Sequence, residues 1–168
     1  FMLYQLYTAG VAGSSILKDD KQALDYLKKA VDQGNPVAMS TLGARYFNGD
    51  QPTAGGTALV EKDPQKAIEM FTNAADKGNA AANRLLAQIY EEGLGGQKKD
   101  LKKALEYYTK AANARDPEAL FRMGVAAEQG WADPDSKEVL VQQNVKTALD
   151  LYRLAAQSGD LRALYNVG

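Results

Sequence analysis

The chain has 168 residues, 45% of them hydrophobic and 24% charged, with a formal net charge of −1, enough apolar content for the core of a domain-sized protein. It contains neither cysteine nor histidine, which excludes a disulfide framework, a thiolate nucleophile, Cys/His zinc sites and Ser-His or Cys-His catalysis. The near-neutral balance offers no basic footprint for nucleic acid, and no apolar run approaches the ~18 residues needed to span a bilayer, so neither nucleic-acid binding nor direct membrane insertion is expected.

In chain order, residues 1–17 (FMLYQLYTAGVAGSSIL) are apolar but lack the basic start of a secretory signal. Leu3, Tyr7 and Gly10 fall in register with Leu42, Tyr46 and Gly49, so this stretch reads as the first helix of a repeat. Residues 19–34 (DDKQALDYLKKAVDQG) begin a helical phrase that returns at 63–78, 100–115 and 144–159. A second phrase alternates with it at 35–49 (NPVAMSTLGARYFNG), 79–93 and 116–130, and starts again at 160–168. We name the second phrase helix A and the first helix B. Self-similarity at roughly forty residues signals stacked helix pairs, none of which can bury its own apolar face. The expected domain is a single array over 1–168, with repeats at 1–34 (partial), 35–78, 79–116, 117–159 and 160–168 (partial), and it is expected to be a piece of a longer array.

The boundaries follow from local chemistry. Asn35-Pro36 and Asp116-Pro117 open A helices; Asp63-Pro64, Asp19, Asp100 and Asn144 open B helices, each supplying a side-chain acceptor for first-turn amides. Gly34, Gly78 and Gly159 close helix B where a left-handed residue is wanted; Arg115 holds that place once, so the turn there is expected to be altered or the exception tolerated. Ala38, Leu42, Gly43 and Tyr46 form a stripe that returns as Ala82, Leu86, Ala87 and Tyr90, then as Ala119, Met123, Gly124 and Ala127. This register makes Tyr46 and Tyr90 core aromatics and Ala127 a soft spot. Loops between A and B are long at 49–63, short at 93–100 and long at 130–144. They carry Pro52, Gly55, Gly56, Pro134 and the single tryptophan, Trp131. Ile16, Val60 and Val141, each three residues before a helix B cap, are expected to anchor the loops to the core.

The pattern A-x-x-x-L-G-x-x-Y-x-x-G, a variable loop, V-x-x-D-x-x-K-A and a closing aromatic-x-x-A-A-x-x-G resembles the Sel1-like repeat, a relative of the tetratricopeptide repeat with longer loops. Ala38, Leu42, Gly43, Tyr46, Gly49, Val60, Asp63, Lys66, Ala67, Phe71, Ala74, Ala75 and Gly78 carry it most clearly, and Ala127, Gln97 and Arg115 depart from it. The resemblance implies an all-α fold: a right-handed α/α superhelical solenoid of antiparallel helix pairs, with A helices lining the concave side. It also implies a non-enzymatic adaptor or scaffold that binds a protein or peptide and works within a larger complex, without cofactor or metal.

If Leu42 and Tyr46 face the core, the 100° step of a helix puts Ser40, Ala44 and Phe47 on the opposite, concave side. The equivalent places are Phe1, Gln5 and Thr8; Arg84, Gln88 and Glu91; Phe121, Val125 and Glu128; and Tyr165. Aromatic residues there either anchor a peptide or complete packing between A helices, while Glu91, Glu92 and Glu128 favour basic groups. Binding through the long loops, with Trp131 as a contact, or through the convex face is the alternative and would make the chain an architectural subunit or assembly factor. Other motifs carry less. Gly93-Leu94-Gly95-Gly96 lacks the strand and Lys-Ser/Thr of a phosphate loop, Asp133 and Asp135 lack the spacing of a calcium loop, and adjacent helical Glu91 and Glu92 cannot flank one bond. The sequence does not determine a compartment.

Overall fold

The structure, a computed structural model, describes residues 1–9, 19–50 and 58–167. Gly10, Ile16, Pro52, Gly55 and Gly56, to which the sequence assigns register, anchor and loop roles, lie outside the described residues. Helices α1 (Met2–Ala9), α3 (Pro36–Asn48), α5 (Ala80–Glu92), α7 (Pro117–Gln129) and α9 (Leu161–Val167) are A helices. Helices α2 (Asp20–Asp32), α4 (Pro64–Asp76), α6 (Leu101–Asn113) and α8 (Val145–Gln157) are B helices. The fold is all-α apart from a hairpin in the last long loop, where β1 (Trp131–Ala132) pairs antiparallel with β2 (Val139–Val141).

Capping explains where the helices start. Asp19, Asn35, Asp63, Asn79, Asp100, Asp116 and Asn144 each accept, at 2.8–3.0 Å, the amide three residues on. Such a cap contributes about 1 kcal/mol relative to alanine. A second recurring bond explains how loops of unequal length leave the helix pair unchanged. The cap residue of helix B donates its own amide to the carbonyl of the A-helix tyrosine place: Asp63 to Tyr46 at 2.7 Å, Asp100 to Tyr90 at 2.8 Å, Asn144 to Ala127 at 2.7 Å, and Asp19 to Tyr7 at 3.1 Å. Because the bond uses only backbone, Ala127 makes it as well as a tyrosine does.

The chain divides into two compact units, Phe1–Gly78 and Asn79–Gly168. In the first, α1 packs on α2, α2 on α3 and α3 on α4 around Leu24, Leu27, Ala38, Leu42 and the loop residue Val60. In the second, α5 to α9 pack consecutively around two clusters, one centred on Tyr108 and the other on Tyr152. Val141 tucks against the Tyr152 cluster.

The fully buried aromatics are Phe71, Tyr108 and Tyr152, all on B helices. This corrects the expectation for Tyr46 and Tyr90, which are half-buried at the edge of their pairs. The reason lies in the first turn of helix B, where Lys66 stands 4.3 Å over the Tyr46 ring and Lys103 5.0 Å over Tyr90. In the third pair both partners are exchanged together, Thr147 for lysine and Ala127 for tyrosine, and Ala127 is buried. Small residues on helix A make room for the buried rings. A methyl added at Gly43 would lie 2.8 Å from Phe71, and one at Gly124 would lie 2.6 Å from Tyr152.

Arg115 does not alter its turn. It adopts φ +61°, the same left-handed region as Gly34 at +77° and Gly78 at +79°. Its amide donates to Ala112 at 2.9 Å as Gly34 donates to Val31 at 2.8 Å. The backbone demand of the turn prevails over the preference of an arginine.

Candidate protein-interaction face

The A-helix places expected to face a partner differ sharply in how free they are. Ser40 is buried at 6% exposure and its hydroxyl donates to the Val37 carbonyl at 3.0 Å, so it is withdrawn from any groove. Ala44 is half-buried, and Phe47 is half-buried with its ring 6.4 Å from that of Phe71 across the α3–α4 pair. Gln5 and Thr8 on α1 are exposed, whereas Phe1 packs against the first unit's core.

In the second unit the same helical places build a polar network between successive A helices. Arg84 on α5 donates to Asp116 at 3.3 Å and lies 3.8 Å from Glu118, while Gln88 donates to Glu118 at 3.2 Å. Arg122 on α7 stands 3.7 Å from Glu91 and 3.9 Å from Glu118. Arg162 on α9 lies 3.6 Å from Glu118 and holds Asp160 in a two-pronged contact. That guanidinium keeps the Asp160 carboxyl below the usual carboxylate range. Glu118 thus receives three guanidinium groups and an amide from three helices. None of Asp116, Glu118, Arg122, Asp160 and Arg162 is singled out by helical spacing. Their signal in the sequence is a charge at the cap or in the early turns of successive A helices.

Glu91 and Glu128 have a role the sequence reading missed. Glu91 accepts the Tyr108 hydroxyl at 2.6 Å, and Glu128 accepts the Tyr152 hydroxyl at 2.7 Å. Burial, reinforced by the carboxylate, pushes the Tyr152 phenol up to about 12, and the same causes push Tyr108 up further. Phe121 is half-buried, its ring 5.5 Å from that of Tyr152 with the Arg162 guanidinium 4.5 Å above it. Val125 joins the same cluster. Glu128 and Glu92 remain exposed, as does Tyr165 at 90%. Trp131 is half-buried, 6.3 Å from the Tyr108 ring, so it serves the core of the second unit as well as its loop surface.

The loop motifs have structural roles. Asp133 Oδ1 accepts the amides of Asp135 and Ser136 at 3.1 and 2.7 Å, which fixes the hairpin turn. Among the described residues no cluster of His, Cys, Asp or Glu is placed to hold a metal ion, and no helix is long and apolar enough to cross a membrane.

Capped antiparallel helix pairs, recurring with loops of unequal length and, in the second unit, joined by charge contacts between their A helices, define an α-solenoid of short repeats. The Sel1 repeat model matches residues 6–35, 36–79, 80–116 and 117–160, and the chain belongs to the Sel1 repeat family. The Sel1 repeat protein of Oxalobacter formigenes superposes with a TM-score of 0.77 at 28% identity, covering 99% of this chain and 60% of that one. The c5321 protective antigen of uropathogenic Escherichia coli, with an SLR fold, gives 0.75 at 23% identity over 99% of this chain and 32% of that one, a likeness of fold alone. In sequence the chain is 30% identical over 112 residues to HRD3B of Arabidopsis thaliana, an ERAD-associated E3 ubiquitin-protein ligase component. That match takes in 67% of this chain and 16% of HRD3B. Sel1 repeat proteins generally mediate protein–protein interactions.

Proposed function

We propose that this chain is a non-enzymatic adaptor that binds a protein or peptide through the face formed by its A helices. The observation that carries the reading is the composition of that face in the second unit. Arg84, Arg122 and Arg162 gather there with Phe121 and Tyr165, and arginine and aromatic residues are the types that dominate binding hot spots. The network around Glu118 supports it further, because it holds the scaffold side chains in place before a partner arrives and so lowers the ordering cost of binding. Glu92 and Glu128 add exposed negative charge suited to a basic group on the partner.

A second reading makes the chain a part of a larger assembly. The relative HRD3B favours it, since its name makes that protein a component of a ubiquitin ligase. Contact through the long loops fits this reading, although Trp131 is partly committed to Tyr108.

Photo-reactive residues placed one at a time test the choice. Cross-linking of one and the same protein from Tyr165 and Glu128 supports the adaptor face. Cross-linking from Val139 in the hairpin, with none from Tyr165 or Glu128, supports the assembly reading.

A further inference from the structure

A cavity of about 290 Å3 opens on the opposite side of the second unit, between B helices α6 and α8 over α7. Ala112, Leu120, Met123, Leu151 and Leu154 give it an apolar lining, and Arg115 is the one charged side chain in that lining. Its size is at the lower end of the range of small ligand pockets, with room for one or two aliphatic side chains.

Arg115 is anomalous in three respects. It occupies the helix-ending place that Gly34, Gly78 and Gly159 hold in the other repeats. It keeps φ +61°, a left-handed conformation that a residue with a Cβ adopts at a cost and that glycine would adopt freely. Its side chain is exposed, and among the described residues it makes no hydrogen bond or ion pair. Glycine would take this turn more freely than arginine does, and the guanidinium serves no neighbour among the described residues. Backbone strain kept for the sake of an unpaired cation beside an apolar cavity points to something outside the chain.

We propose that this cavity receives an apolar side chain of a protein partner whose neighbouring carboxylate pairs with Arg115. The lining supplies apolar burial. The guanidinium fork matches a carboxylate in two hydrogen bonds, and no acidic side chain lines the cavity to compete for it. The exposed Asn113 amide, also in the lining, is a further donor. The site faces away from the A-helix surface and does not depend on it, so the two can be tested separately.

The test is an NMR titration of the isotope-labelled chain with the blocked peptide acetyl-Ala-Leu-Glu-Leu-Ala-amide at millimolar concentration. Control peptides replace Glu by Gln or both Leu by Ser. The expected result is saturable shifts confined to the amides around Ala112, Arg115, Leu151 and Leu154. Affinity falls roughly fivefold for the Gln peptide and for an Arg115→Gly chain, whose other resonances stay in place, and binding is lost with the Ser peptide. No shifts at these amides, or equal affinity for the Glu and Gln peptides, overturns the proposal.

Discussion

The Tyr108 hydroxyl donates to Glu91 Oε2 at 2.6 Å, joining the buried ring of α6 to the last turn of α5. The α7–α8 pair repeats the bond between Tyr152 and Glu128 at 2.7 Å, and the α3–α4 pair places Phe71 against Phe47 instead. A hydroxyl on helix B thus coincides with a carboxylate on helix A, and its absence with a second ring. An unpaired hydroxyl in such a place costs about 1–3 kcal/mol. Phe71→Tyr alone should therefore lower stability by about that amount, and adding Phe47→Glu should recover part of it. Urea denaturation of the single and double variants measures the coupling, and additive effects would deny it.

Burial of the Tyr152 phenol, reinforced by its bond to Glu128, gives an alkaline pH dependence. Tyr152 has a folded value of about 12 against the usual ~10 of an unfolded tyrosine. The folded state holds its proton longer, so the stabilisation is fully present below about pH 10 and is lost as the pH rises through about 12. Denaturation midpoints followed through this window should fall, and Tyr152→Phe should flatten the decline.

Arg115→Gly should raise stability by about 1 kcal/mol, because glycine accepts the left-handed turn without the clash of a Cβ. Part of the gain is offset by the greater freedom of glycine in the unfolded chain. A thermal midpoint that falls instead would mean that the arginine side chain stabilises the turn in a way the structure does not show.

Core aromatics should separate by depth. Phe71→Ala should cost about 3–5 kcal/mol as a fully buried ring. Tyr46→Ala should cost less, about 1–3 kcal/mol, because one side of the ring faces the Lys66 ammonium and solvent. Equal losses in chemical denaturation would restore the expectation that Tyr46 is a core residue.

Glu118→Ala removes the residue on which Arg84, Arg122 and Arg162 converge. All four side chains are partly exposed, so solvent screening limits the loss to about 1 kcal/mol. Its salt dependence should be weaker than that of the wild-type chain.

The repeat, the caps and the helix pairing were legible because they rest on local chemistry. Asn35, Asp63 and their counterparts cap by reaching three residues on, and Ala38, Leu42 and Gly43 share a face by helical geometry alone. What was not legible depends on neighbours distant in sequence. The depth of Tyr46 is set by Lys66, and the partner of Glu91 is Tyr108, whose hydroxyl carries no signal of where it points. Ser40 shares the helical angle of a groove residue yet is buried by packing. The helical step placed Arg84 and Gln88 on the concave side facing a partner, but only the structure shows them joined to Asp116 and Glu118. The hairpin at Trp131 escaped notice because two or three residues of strand leave no periodicity to read.

Whether partners bind the A-helix face is decided by the affinity of the cross-linked partner for a Tyr165→Ala, Glu128→Gln chain. Tyr165 has 90% exposure, and the glutamine retains an acceptor for the Tyr152 hydroxyl while removing the charge, so the fold should be preserved. Binding should weaken roughly tenfold or more with the thermal midpoint little changed. Undiminished affinity in a folded double variant would contradict it.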